Sequence, residues 1–224
     1  MDTLLLRLQA PMQSWGISSH FTVRDTCREP SKSGVIGLVC AALGRARSEP
    51  VEDLARLKMG VRVDREGKLE RDYHIAQEIF KAGGGTKKSE TSNRYYLADA
   101  VFLVGLEGDS QLLAEIEAAL KNPCWCLYLG RKAFPPSKPV WLQGGLRKGE
   151  YLYQALRTFP RLAHTDAQRL RIAVDDPEGD FSRGDVPLSF SERRFASRPL
   201  QMEYIDAPEE VLEEETHDIV ETGA

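Results

Sequence analysis

The segment Gly130-Arg-Lys-Ala-Phe-Pro-Pro-Ser-Lys138 gathers Arg131, Lys132 and Lys138 around the ring of Phe134. Pro135, Pro136 and Pro139 hold it out of regular structure. Cations for phosphates beside an aromatic ring for stacking suit single-stranded RNA, although a merely solvated basic loop has the same composition. Ser191-Glu-Arg-Arg-Phe-Ala-Ser-Arg198 repeats the theme. In extended chain Arg194, Ala196 and Arg198 share a face, so that two guanidiniums on one side could bridge phosphates. A salt-bridged edge strand fits the same residues. In Pro30-Ser-Lys-Ser-Gly34 the hydroxyls of Ser31 and Ser33 and the ammonium of Lys32 stand where a helix begins. Free N–H groups and the helix dipole would hold an anion there. Ordinary N-capping by Ser31 or Ser33 is the plainer alternative. The two upstream glycines of a GxxxxGK[ST] phosphate loop are missing, which argues against nucleotide hydrolysis.

Catalytic signatures are sparse. His20, His74, His164 and His217 stand apart, without an HExxH, GxSxG or paired-carboxylate pattern. Tyr73 and His74, beside basic residues, offer acid/base groups for RNA. Asp175-Asp-Pro-Glu-Gly-Asp180 has the wrong ligand spacing for a calcium loop and reads as a surface turn. Cys27, Cys40, Cys124 and Cys126 form neither a disulfide framework nor a CxxC knuckle. Cys124 and Cys126 would share one strand face as buried reduced thiols. No metal and no cofactor is expected.

These residues need elements to position them. Residues 4–8 suit a first strand, and a polar loop follows Pro11. Val35, Leu38, Val39, Ala42 and Leu43 keep the spacing of one helix face, with Ser31 before it and Gly44 after it. A turn near Leu54 leads to an alternating strand at 60–64 and a turn at 64–67. From Asp72, alternation at Tyr73, Ile75, Gln77 and Ile79 predicts an outgoing arm. Gly83-Gly-Gly85 makes its tip, and residues 95–105 return as a central strand. A helix at 110–120 and a strand at 124–129 complete the order β-α-β-β-α-β, the α+β pattern of ferredoxin-like and RNA-recognition folds. Residues 130–205 read as a smaller β-rich region with strands at 169–174 and 200–205.

A chain of 224 residues is long enough for one large domain or two small ones. Of 30 basic and 34 acidic side chains, eight acids and no Lys or Arg fall in residues 206–224. The first 205 residues are therefore net +4, and the remainder reads as a disordered acidic tail. The longest apolar stretch, 34–44, is far short of the roughly 20 residues of a membrane span. Asp2 and Arg7 do not fit a signal peptide, so a cytoplasmic protein is expected.

One combination is specific. Gln9-Ala-Pro-Met-Gln-Ser-Trp-Gly16, Arg24-Asp-Thr26 and Pro30-Ser-Lys-Ser-Gly-Val-Ile-Gly-Leu38, followed by Arg94-Tyr-Tyr-Leu-Ala-Asp-Ala100 and Leu127-Tyr-Leu-Gly-Arg-Lys132, resemble the CRISPR-associated CasD family. The resemblance covers residues 3–205. It implies a subunit of the type I-E Cascade surveillance complex, with a ferredoxin-like domain at 1–129, a β-hairpin thumb at about 72–98 and a C-terminal β region at 130–205. Such a subunit grips the 5′ handle of the CRISPR RNA and touches the backbone subunit CasC and the large subunit CasA; target DNA is met only through the assembled complex. The RNA-binding set this implies adds Arg24, Thr26, Lys87, Lys88, Arg94 and Tyr95 to Ser31, Lys32, Ser33, Arg131, Lys132, Lys138, Arg194 and Arg198. Related subunits of another subtype cleave precursor RNA with Tyr, Lys and His side chains. In type I-E systems a separate endonuclease, CasE, does this, so the resemblance implies binding without cutting. A metal-independent endoribonuclease is the alternative, and a ferredoxin-like protein-interaction module a third.

Overall fold

Leu4, Leu5, Leu6 and Leu8 are all buried, so the first strand is apolar on both faces and must lie inside a sheet covered on both sides. The computed structural model describes residues 1–18, 22–81 and 83–212. His20, His217 and residues 213–224 lie outside them. The chain runs β1 (Asp2–Gln9), β2 (Met12–Gln13), β3 (Val23–Arg24), α1 (Lys32–Leu43), α2 (Glu52–Ala55), β4 (Lys58–Arg65), β5 (Lys68–Phe80), β6 (Thr86–Ala98) and β7 (Val101–Gly108). It continues through α3 (Ser110–Lys121), β8 (Trp141–Arg147), α4 (Leu152–Thr158), β9 (Arg169–Asp175), β10 (Phe181–Ser189) and β11 (Arg194–Asp206).

A seven-stranded antiparallel sheet has the order β10-β11-β9-β4-β7-β1-β8. Side chains alternate between two cores. On one face α1 and α3 cover Leu4, Leu6, Val61, Phe102 and Val104; on the other α4 covers Leu5, Leu103, Leu170 and Ile172. Gly60 and Gly105 are register partners and make the flat spot where α4 sits. A Cβ on Gly60 would lie 2.6 Å from Leu156 Cδ1, and one on Gly105 2.5 Å from Leu152 Cδ1. Beneath the end of α4, fully buried Arg62 pairs with Asp64 (Nε to Oδ1, 2.6 Å) and donates to the carbonyls of Leu156, Phe159 and Pro160. The guanidinium thereby satisfies carbonyls that the helix end leaves free.

The arm is a two-stranded hairpin whose strands begin at Lys68 rather than Asp72 and pair from Lys68↔Ala98 to Phe80↔Thr86. The return strand is not continuous to residue 105. Asp99, at φ 56°, breaks it into β6 and β7, and its N–H donates to Pro11 O (3.0 Å). Residues 124–129 are not a strand either. The N–H groups of Cys124 and Trp125 are taken by the carbonyls of Ala42 and Ala41 at the end of α1, and both Cys124 and Cys126 are exposed. The strand beside β1 is β8 instead, so the sheet continues past residue 129 and takes in β9, β10 and β11. The beginning of the expected tail is also ordered. Asp206 ends β11, Leu212 N donates to Arg161 O (2.7 Å), and Ala207 and Leu212 pack on the α4 core. Two apolar side chains among the acids hold it there.

Candidate nucleic-acid interface

The root of the hairpin is where separate chain segments meet. On the edge opposite β5, β6 pairs antiparallel with β2 and parallel with β3. This register puts Arg24 beside Arg94, with Asp72 of β5 directly opposite Arg94. The loop after α3 brings in Arg131. Its Nη2 donates to the carbonyl oxygens of Tyr95 (2.8 Å) and Arg24 (3.4 Å), and its guanidinium lies 5.5 Å above the Phe134 ring. The loop comes this close because Gly130, at φ 88°, has no Cβ to strike the carbonyl of Ser14. Ser14 N in turn donates to Leu129 O (3.1 Å), and Ser14 Oγ to Tyr95 O (3.2 Å).

Arg24, Arg94 and Arg131 therefore form one cationic cluster. Burial first, and then the nearby charge of Arg94 and of Arg24, hold the Arg131 guanidinium below the ordinary arginine value, with Asp72 and Asp25 acting in the opposite direction. Arg24 is exposed and Arg94 half-buried. A phosphate placed among them would relieve the repulsion and accept planar, paired hydrogen bonds. Tyr95 contributes its carbonyl to this arrangement. Lys87 and Lys88 are exposed farther out on β6, where Lys87 pairs with Glu90.

Other expected contacts are used inside the molecule. Ser31 is buried and caps α1, accepting from Gly34 N (3.3 Å). The helix entrance does hold an anion, but it is the buried carboxylate of Asp185, which accepts from Lys32 N (2.8 Å). Lys32 is itself buried, its Nζ 3.0 Å from Asp175 Oδ2. Arg198 joins the same network, paired with Asp175 and Asp185, so it does not stand on a phosphate-binding face with Arg194. Its burial opposes the charged form, but the Asp185 and Asp175 contacts outweigh this and raise its pKa. Thr26 Oγ1 accepts from Trp15 N (2.9 Å) and donates to Cys27 O (2.9 Å), fixing the loop rather than facing outward. Phe134 is buried beneath Arg131 and is no open stacking platform. Arg194 is exposed and paired with Glu192, and Lys138 is half-buried. Ser33 and Lys132 line a cavity beside α1 together with Trp125 and Tyr128. Those two aromatics were missed because the apolar 124–129 segment reads as an inward strand. On β5, His74 is bonded to Asp72, while Tyr73 alternates to the other face.

The model of the family described as CRISPR-associated protein (Cas_Cas5) matches residues 3–201. The chain belongs to this CRISPR-associated family. It is 35% identical over 155 residues to the CRISPR system Cascade subunit CasD of Escherichia coli (strain K12), covering 62% of this chain and 69% of that one. Among solved structures, one described as a crystal structure of a Cas protein is 45% identical, with a TM-score of 0.77 over 92% of this chain and 97% of its own. A chain of a CRISPR RNA-guided surveillance complex is 34% identical, with a TM-score of 0.80 over 92% and 91%. Set against this kinship, the motif residues Gln13, Ser14 and Trp15 are all buried. Gln13 Nε2 donates to the carbonyls of Leu8 and Ala100, and Trp15 Nε1 to Gln13 Oε1. The most specific block of the sequence supports the hairpin root from behind.

Proposed function

We propose that this chain is a non-catalytic, cytoplasmic RNA-binding subunit of a type I-E Cascade surveillance complex. It grips the 5′ handle of the CRISPR RNA and anchors the backbone subunit CasC and the large subunit CasA. The observation that carries this reading is the convergence of Arg24, Arg94 and Arg131 at the hairpin root, in a chain related to CasD. The strand order β4-β7-β1-β8, with α1 and α3 on one face, supports a ferredoxin-like core that takes β8 as its fourth strand. The hairpin acts as the thumb, with Lys87 and Lys88 as phosphate contacts along it, and residues 130–205 other than β8 form the C-terminal β region. Lys132, Lys138, Arg194 and Ser33 are outlying RNA contacts, while Lys32 and Arg198 are given up to the internal ion pairs. Phosphate contacts of this kind give affinity that falls with salt and does not depend on base sequence.

One observation favours a second reading. His74 is bonded to Asp72, the register partner of Arg94, and the two make a pair that could move protons on RNA without a metal. Incubating the purified chain with end-labelled repeat RNA in EDTA separates the readings. Retention of intact RNA is expected. Cleavage that disappears in His74→Ala would establish the endoribonuclease, and neither retention nor cleavage would leave a protein-interaction module.

A further inference from the structure

The hydroxyl of Ser14 has two carbonyl oxygens within reach, Tyr95 O at 3.2 Å and Asp25 O at 3.4 Å. The backbone of the same residue holds a third segment. Its N–H donates to Leu129 O (3.1 Å), and its carbonyl fills the space that a Cβ on Gly130 would take. Every one of these partners stands beside an arginine of the cluster: Asp25 follows Arg24, Tyr95 follows Arg94, and Leu129 and Gly130 lead into Arg131. Ser14 itself is 6% exposed, too buried to meet RNA directly.

A hydroxyl carries one proton, so Ser14 donates to one carbonyl at a time or to both in a three-centre bond. Either way β6 and the segment after β3 are held to the same atom. Tyr95 O also accepts from Arg131 Nη2, so one carbonyl oxygen joins Ser14 to the third guanidinium. The inward contacts of Arg131, to Tyr95 O and Arg24 O, use that single nitrogen. A guanidinium has five N–H donors, which leaves Nε and Nη1 for an oxyanion.

We propose that Ser14 is a positioning residue of the phosphate site, fixing the spacing of Arg24, Arg94 and Arg131 so that they engage the RNA backbone as a unit. This rests on the RNA-binding reading above and adds the buried residue that makes three separate cations one site. Without the hydroxyl, the pairings of β2 and β3 with β6 remain, but the segments lose their common anchor. Mutual repulsion then spreads the guanidiniums, and the ordering that the fold had supplied in advance must come from binding.

The test measures affinity of the full chain for a mixed-sequence single-stranded RNA 20-mer by fluorescence anisotropy across a salt series. Four proteins are compared: wild type, Ser14→Ala, Arg24→Gln/Arg94→Gln/Arg131→Gln, and the combination of all four substitutions. Ser14→Ala lowers the log–log slope by roughly 0.7–1.4, the equivalent of one or two contacts on a single strand. Its melting temperature stays within a few degrees of wild type, as for one lost hydrogen bond. Added to the triple arginine variant, the same substitution changes the slope no further. Ser14→Cys, similar in shape but a poor donor, decides the matter should Ser14→Ala fail to fold. A wild-type slope in the folded variant overturns the inference even if affinity falls, because the residue then serves only the fold. An equal loss of slope in the triple arginine background, or loss of fold in both Ser14 variants, overturns it too. A wild-type slope in the triple arginine variant is instead the failure of the phosphate-site reading.

Discussion

Arg62 and Glu29 show at the residue scale how charge is used inside this molecule. Removing Arg62 leaves the fully buried Asp64 carboxylate unpaired and the carbonyls beyond α4 unsatisfied. Arg62→Met should cost about 3–5 kcal/mol in urea denaturation, and adding Asp64→Leu should recover part of that loss. Glu29 is buried between Arg183 and Arg171. Burial works against its charge, but the two guanidiniums win and hold its pKa below the ordinary 4.5. Its contribution to stability is therefore complete above that ordinary value and lost as pH falls through the lower folded one. Glu29→Gln should lower the melting temperature at pH 7 and flatten its acid limb between about pH 5 and 3; equal losses at pH 7 and pH 3 would contradict this. Burial above all, with nearby carboxylates adding to it, raises the thiols of Cys27 and Cys40 to about 11, so a thiol reagent at pH 8 should titrate only the exposed Cys124 and Cys126 rapidly. Sequence supplied the charges of Lys32 and Arg198 but not their burial. Asp175 and Asp185 lie some 150 residues from Lys32, and no local pattern announces such a pairing.

At the scale of elements, the hairpin carries no core beyond Leu97 at its root. No side chain of β5 is buried, so replacing residues 75–91 with a two-residue Asn-Gly turn should leave the melting temperature within a few degrees of wild type. Assembly with guide-loaded CasC, followed by size exclusion, should fail or slow sharply, and assembly at normal yield would remove the thumb role. The elements legible in the sequence were those with local signals. In α1 these are the Ser31 cap, the apolar spacing and left-handed Gly44; in α3 they are Leu113, Ile116 and Leu120 facing one way. The hairpin was legible from alternation around three glycines. β8 was not, because Gly144 and Gly145 interrupt a seven-residue strand; Gly144, at φ 66°, lies within it. Residues 124–129 had strand-like composition, but α1 takes the N–H groups of Cys124 and Trp125. The cationic cluster was legible as residue types. Its assembly depends on the parallel pairing of β3 with β6, which spans about 70 residues and has no sequence signature.

At the scale of the whole molecule, one sheet joins the core under α1 and α3 to the strands of the C-terminal region, and buried ion pairs tie those strands to the entrance of α1. Charge is distributed unevenly over this frame. Residues 213–224 carry five acids and no Lys or Arg. Truncation after Leu212 should strengthen non-specific RNA binding at 50 mM salt and converge with the full chain above about 0.5 M, as screening predicts. Truncation after Asp206 should in addition lower the melting temperature, because Ala207 and Leu212 leave the core. The proposed function rests on the arginine cluster at the hairpin root contacting RNA phosphates. The direct measurement is the salt dependence of single-stranded RNA affinity for the full chain and for Arg24→Gln/Arg94→Gln/Arg131→Gln. Three lost contacts should reduce the log–log slope by roughly 2, with affinity falling alike for unrelated sequences. A folded triple variant with the wild-type slope would contradict the account.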